Sequence, residues 1–338
     1  MGDMDTKNGK RSVVMIGGGT GTHTVLRGLK QYQKQLDIKA VVTMADSGGS
    51  TGRLRDEFGY LPVGDVRMAL TALASDVDEH EELVRQLFLY RFVKGEGLSG
   101  HNFGNLLLVA LTDILGSEEA AIKAAARLLR VKGSVIPVTT TKVDLVATYD
   151  DGVVLVGEHD IDEPGIDRAK RKIVELSITP EATISEAAEA AILDADLIIL
   201  GPGDLYTSVL ANCVVEGVAE AITHTPAKVV YVANLMTKLG QTSGLGVAEH
   251  VAEITRYTGR TPDVVLVNTT PLPADLLQRY AQDNEFPVTF NCESAEYRIV
   301  PADLLAAEVV QKSSGDTLKR SLIRHDSRKL ARKLIDLL

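Results

Sequence analysis

Two aspartates in this chain stand where carboxylates do chemistry. Asp46 closes an apolar run within TMADSGGSTGRLRDEFG (Thr43–Gly59), and Asp65 sits in LPVGDVRMAL (Leu61–Leu70). A carboxylate at a strand end accepts a hydrogen bond from a ribose hydroxyl. With a second carboxylate and phosphate oxygens it holds Mg²⁺ instead. Asp65 also suits the N-cap of the helix that follows it. Arg53 and Arg55 follow Asp46, and guanidinium forks fit phosphate. In GLSGHNFGN, His101 is a candidate general base, and Asn102 and Asn105 are candidate donors to a phosphate or substrate oxygen. The plain alternative is a polar helix entry with Ser or Asn capping.

Around these groups lie glycine-rich loops. GGGTGT places Gly17, Gly18, Gly19, Thr20 and Gly21 at a strand-to-helix turn, where backbone amides approach an anion. Ser47, Gly48 and Gly49 form a second such loop after Asp46. GPGDLYTS supplies Gly201, Gly203, Tyr206 and Ser208, with Asp204 suited to capping. NLMTKLGQTSG opens with Asn234. The first loop lacks the final glycine of the dinucleotide fingerprint, since Thr22 stands there, and no GxxxxGK[ST] P-loop occurs. A nicotinamide cofactor is therefore not expected.

The elements that must position these loops are legible as apolar runs. Ser12–Ile16, Ile38–Met44, Asp196–Leu200, Lys228–Asn234 and Asp263–Asn268 read as buried parallel strands. Helical spacing runs from His23, and again through Val66–Ala74, Glu79–Phe92, Asn105–Leu115 and Glu118–Leu129. Alternation of strand and helix predicts a Rossmann-like, doubly wound α/β fold with a mostly parallel sheet. Val131–Ile178 breaks the rhythm with Val- and Thr-rich alternation, and YDDGV carries an Asp-Gly hairpin signal. We read a small antiparallel β insertion (131–180) within one domain (11–338), after a disordered tail (1–10). In open parallel sheets ligands bind beyond the carboxyl ends of the strands, so the four glycine and hydroxyl loops should form one crevice.

Composition narrows the partners. The 338 residues carry a net charge of −10, which argues against nucleic acid as a partner. The longest apolar runs are strand-sized, so no membrane span is expected. The polar start MGDMDTKNGKR has no signal-peptide core. Two cysteines, Cys213 and Cys292, lack metal-ligand spacing, and a cytoplasmic location fits. Asp326 or Ser327 caps the last helix, with Arg324 and His325 just before it, either solvated or reaching a diphosphate.

Six ordered pieces resemble the YvcK/CofD-like family, within it the YvcK branch of gluconeogenesis factors. They are GGGTG, ADSGGSTGRLR, LPVGDVR, GHNFGN, GPGDLYTS and RHDSRKLA. The resemblance implies a Rossmann-type sheet with an added subdomain. Its transferase branch moves a phospho-lactyl group from a guanosine diphosphate carrier, and its metal carboxylates would fall on Asp46 and Asp65. Its YvcK branch is similar in core but is linked to cell shape, cell-wall precursor supply and growth on gluconeogenic carbon, and the resemblance implies that it binds UDP-sugars. That implies an anion cradle near Gly17–Gly21 and Gly201–Gly203, with Arg324 on the diphosphate and Tyr280 on the nucleotide side. Ser47 stands where family members often carry a second Asp, and Met68 where Asn is common. The expectation is a UDP-sugar-binding regulator, homodimeric and acting on a protein partner. The alternative is a Mg²⁺-dependent transferase of the 2-phospho-L-lactate transferase type, with GDP as the nucleotide.

Overall fold

The computed structural model describes residues 9–168, 170–292, 296–307 and 322–338. The tail expected at 1–10 lies, up to residue 8, outside the described residues. Seven strands form one parallel sheet: β1 (Arg11–Gly17), β2 (Leu36–Val42), β3 (Ser134–Pro137), β7 (Leu197–Leu200), β8 (Lys228–Val232), β9 (Val264–Asn268) and β10 (Arg298–Ala302). Their order is β10-β9-β8-β7-β1-β2-β3. From β1 the chain winds one way through β2 to β3. It returns to β7 beside β1 and winds the other way to β10. The switch point thus lies between β1 and β7, where open α/β sheets bind ligands.

The strands are apolar on both faces because both faces are covered. Val14 and Ile16 join one core cluster with Ile198, Val229 and Ile254. Val13 and Met15 join the other with Leu26, Leu70 and Leu330. One layer holds α1 (Gly19–Leu29), α3 (Gly64–Leu73), α6 (Glu118–Leu128) and α13 (Ser327–Ile335). Outside them lie α2 (Gly49–Phe58), α4 (Glu79–Leu89) and α5 (Phe103–Leu115). The opposite face is covered by α8 (Glu186–Leu193), α9 (Ala211–Cys213), α10 (Val218–His224) and α11 (Val247–Thr258). The short α12 (Ala274–Gln282) follows β9 and contributes Tyr280 to a small satellite core. Asp326 caps α13, accepting from the amides of Arg328 and Lys329. Cys213 is buried and unbridged, as its apolar helix position predicts.

The insertion is a separate antiparallel sheet of order β5-β4-β6, from β4 (Asp144–Tyr149), β5 (Val154–Val156) and β6 (Ile173–Thr179). Its first turn is the predicted Asp-Gly hairpin, closed by Tyr149 N donating to Val153 O at 2.8 Å. Although β3 falls within 131–180, it pairs with β2 in the large sheet, so the antiparallel part begins at Asp144. The helix α7 (Glu158–Asp162) follows β5 directly and turns back toward the large sheet. Helix α1 starts at Gly19, four residues before the helical spacing begins. Glycine and threonine carry no periodic signal, and the start is fixed by a distant side chain described below. Among the described residues no helix is long and apolar enough to cross a membrane.

Candidate functional site

A cleft of about 250 Å³ opens at the carboxyl ends of β1, β2, β7 and β8. The GGGTGT loop and the GPGD loop meet there across the switch point. A Cβ on Gly21 would overlap the Pro202 carbonyl, so only glycine lets these two backbones approach. Asn234 Nδ2 donates to Gly203 O at 2.8 Å and ties the loop after β8 to them.

One wall is acidic. Asp46 Oδ1 accepts from Gly48 N at 2.9 Å, which folds the second glycine loop around the carboxylate. Asp65, in the first turn of α3, reaches the N-terminus of α1, where its Oδ1 accepts from Gly19 N at 2.8 Å. It therefore caps a helix, but α1 rather than its own. The position a Cβ would take on Gly48 is 3.6 Å from Asp46 Oδ1, 3.8 Å from Glu158 Oε2 and 3.8 Å from His159 Nδ1, so α7 delivers its charges to Asp46. Asp162 and Asp204 follow, bridged by Lys238, whose Nζ is 3.2 Å and 3.9 Å from them.

Crowding these acids in a low-dielectric floor disfavours their charged forms. Burial, and then the Asp46 charge, push Asp65 up to about 7. Burial raises Asp46. Burial followed by Asp46, Asp162 and Asp65 lifts Glu158 well above the carboxylate range. Asp204 is pushed up to about 7 by burial, against the pull of Lys238. Burial works to lower Lys238, yet Asp204 and Asp162 hold it protonated.

The cleft wall includes Gly18, Gly19, Thr20, Gly21, Asp46, Gly48, Asp65, Asn105, Gly203, Ser208, Asn234, Tyr280 and Arg324 from the sequence-derived candidates. The others stand behind it. Gly17 ends β1, and Gly49 begins α2. Ser47 Oγ accepts from His159 N at 3.0 Å and anchors α7. His101 is buried, its Nδ1 3.2 Å from Ser50 Oγ, so it reaches the cleft only through that serine. Asn102 caps α5 by accepting from Asn105 N. Gly201 packs against Tyr231 and the Val232 carbonyl. Tyr206 points into the core side, where its hydroxyl donates to Glu253 Oε2 at 3.1 Å. The wide, π-type turn Leu205–Leu210 between β7 and α9 puts Thr207 and Ser208, rather than Tyr206, on the cleft.

Asn105 Oδ1 accepts from Arg67 Nε at 2.7 Å, and Arg67, though buried, lines the cleft with Met68 and Arg91. Tyr280 is fixed by accepting from Leu322 N at 2.7 Å and Ile323 N at 3.2 Å, which places it beside Arg324. Glu158, His159, Asp162 and Lys238 escaped the sequence reading. The GEHDI stretch just after a hairpin strand was the available signal, but only the fold carries it to Asp46.

Asp46 and Asp65 would offer Mg²⁺ the hard carboxylate oxygens it accepts. Among the described residues no group of three or more His, Cys, Asp or Glu is arranged to hold a metal by itself. Two carboxylates completed by phosphate oxygens and water are what Mg²⁺ sites commonly use, so the residues fit a ligand-completed ion.

Known proteins resemble this chain along nearly its whole length. The model of the CofD family, described as 2-phospho-L-lactate transferase CofD, matches residues 13–305. A gluconeogenesis factor of Bacillus subtilis is 40% identical over 332 residues, covering 97% of this chain and 98% of that protein. Another, from Halalkalibacterium halodurans, is 42% identical over 282 residues, 82% of this chain and 84% of its own length. A crystal structure of a UPF0052-family protein from Bacillus halodurans superposes with a TM-score of 0.85 at 35% identity, over 96% of this chain and 99% of that one.

Proposed function

Since the chain belongs to the CofD family and groups there with the gluconeogenesis factors, we propose that its cleft binds a nucleoside diphosphate sugar, foremost a UDP-sugar. In this reading the protein is a regulator that supports gluconeogenic growth, cell shape and cell-wall precursor supply. It works in the cytoplasm as a homodimer and passes its ligand state to a protein partner. The observation that carries the reading is the contact of Gly21 with the Pro202–Gly203 backbone at the switch point. Two glycine loops this close present their amides to one diphosphate. Tyr280 and Arg324 line the same cleft, and in this reading they would contact the nucleotide side.

The second reading is a Mg²⁺-dependent transferase, and the convergence of Asp46 and Glu158 around Gly48 favours it. Asp46 and Asp65 would hold the ion, which neutralises charge on a leaving phosphate. His101 would act on an acceptor hydroxyl through Ser50. The regulator is preferred because Ser47, at a position where a further carboxylate is common in the family, is committed to anchoring α7.

Thermal unfolding with UDP-N-acetylglucosamine, UDP-glucose, GDP, NAD or buffer, each with and without Mg²⁺, tests both. A ligand at 100 times its dissociation constant adds about 2.7 kcal/mol of stability. A rise with UDP-sugars that is indifferent to Mg²⁺ supports the regulator. A rise confined to GDP with Mg²⁺ supports the transferase, and a rise with NAD alone refutes both.

A further inference from the structure

Two polar atoms in the cleft wall have no hydrogen-bond partner among the described residues although both are buried: Asn234 Oδ1 and His325 Nε2. A buried polar atom left unpaired is costly, and in a native cleft it marks a place where a ligand or water completes the bonding.

Both atoms are acceptors. The Asn234 amide spends its Nδ2 on Gly203 O, which orients Oδ1 as the free end. The His325 ring is bonded to the Ala233 backbone, whose amide is already given to Leu266 O, so the ring donates to the Ala233 carbonyl. Nε2 is unpartnered, so the hydrogen is assigned to Nδ1 as that donor, and in this tautomer Nε2 carries the lone pair. Burial holds the ring neutral, with its pKa pushed down to about 4. The two acceptors belong to neighbouring parts of the wall, because His325 is tied to the residue preceding Asn234.

From this geometry we infer that Asn234 Oδ1 and His325 Nε2 receive a vicinal diol of the bound nucleotide sugar. A ligand meeting two acceptors must bring two adjacent donors, and a vicinal diol with gauche hydroxyls does so. The edge of a guanine also offers two donors, but it stands farther from its phosphates than a ribose does. Asn234 is hydrogen-bonded to Gly203 itself, beside the proposed diphosphate site, which favours a sugar attached directly to the phosphates. The inference rests on the nucleotide-sugar reading. The diol comes either from the ribose or from the pyranose.

The test is calorimetric binding of UDP-glucose, UDP, 2′,3′-dideoxy-UDP and GDP to the wild-type protein and two variants. In His325→Asn the amide nitrogen can still donate to the Ala233 carbonyl, but no acceptor reaches the Nε2 position. His325→Gln restores a polar amide there. UDP binding at least tenfold tighter than dideoxy-UDP in the wild type, with the gap closed in His325→Asn and reopened in His325→Gln, supports a ribose diol. UDP-glucose binding at least tenfold tighter than UDP, with that gain lost in His325→Asn, supports a pyranose diol. If UDP-glucose binds but neither gap exists, the inference is overturned and the nucleotide-sugar reading stands. A GDP-over-UDP preference that disappears in His325→Asn also overturns it, in favour of a guanine edge. If no nucleotide binds, both fall.

Discussion

The amide of Gly19 donates to Asp65 Oδ1 across 2.8 Å, so the positive end of α1 is occupied by a side chain from α3. A helix N-terminus at a glycine loop is an anion site, and here an internal carboxylate already stands on it. A phosphate approaching Gly18–Gly21 meets that charge unless a proton or a cation offsets it.

Asp65→Asn is therefore expected to tighten Mg²⁺-free binding of a nucleoside diphosphate several-fold, because the amide oxygen still accepts from Gly19 while the negative charge is gone. Any enhancement of binding by Mg²⁺ should vanish in the same variant. Titration calorimetry with and without the ion reads both effects. Weaker metal-free binding would show that Asp65 instead accepts from the ligand.

Gly21→Ala probes the meeting of the two loops. Its Cβ would overlap the Pro202 carbonyl, a backbone atom that cannot swing aside. Overpacking of this kind costs about 1–3 kcal/mol, and prising the loops apart should also remove nucleotide binding. A variant with wild-type melting temperature and affinity would contradict the close approach.

The acidic wall weakens the fold as the pH rises toward neutrality. A carboxylate whose folded pKa is raised contributes stability below its unfolded pKa and loses it as pH rises through the folded value. For Asp65 and Asp204 that loss runs from about 4 up to about 7. Glu158 is raised with them, by burial and then by its acidic neighbours. Glu158→Gln should thus melt several degrees higher than the wild type above neutral pH, with the gain shrinking as the pH falls and the acids protonate. An unchanged or lower melting temperature in alkaline buffer counts against a strained acidic cluster.

Buried histidine sets the acid side. His250 lies under the sheet with Nδ1 2.8 Å from the Tyr231 hydroxyl, and burial pushes its pKa down to about 4. The unfolded chain takes up that proton near 6.5, so its contribution to stability is complete above 6.5 and is lost as pH falls toward 4. At about 1.36 kcal/mol per unit this amounts to roughly 3 kcal/mol. Urea midpoints measured across this range should fall more steeply for the wild type than for His250→Gln. Equal slopes would assign the acid sensitivity elsewhere.

The strands could be read because each is a β-branched run buried on both faces, and the Asp-Gly turn because its chemistry is local. The candidate site was legible in part for the same reason. Asp46, Gly48 and Gly203 sit in the loops that follow β2 and β7, and the loop beyond the carboxyl end of a parallel strand is already a place in the cleft. Tyr206 shows the limit. It shares a motif with Ser208, but the wide turn at Leu205–Leu210 rotates its hydroxyl to Glu253. His101 is likewise in a motif and yet stands behind Ser50.

The sequence by itself determined the alternating α/β plan, the hairpin of the insertion and the glycine loops, because propensity, burial pattern and turn chemistry act over a few residues. Only the tertiary structure decided which carboxylate caps α1, that Glu158 meets Asp46, and that Asn234 and His325 face one cleft. Those relationships join segments 46, 112 and 91 residues apart along the chain. Their free energy depends on desolvation and charge in a shared cavity, which exists only once the sheet has brought its strand ends together.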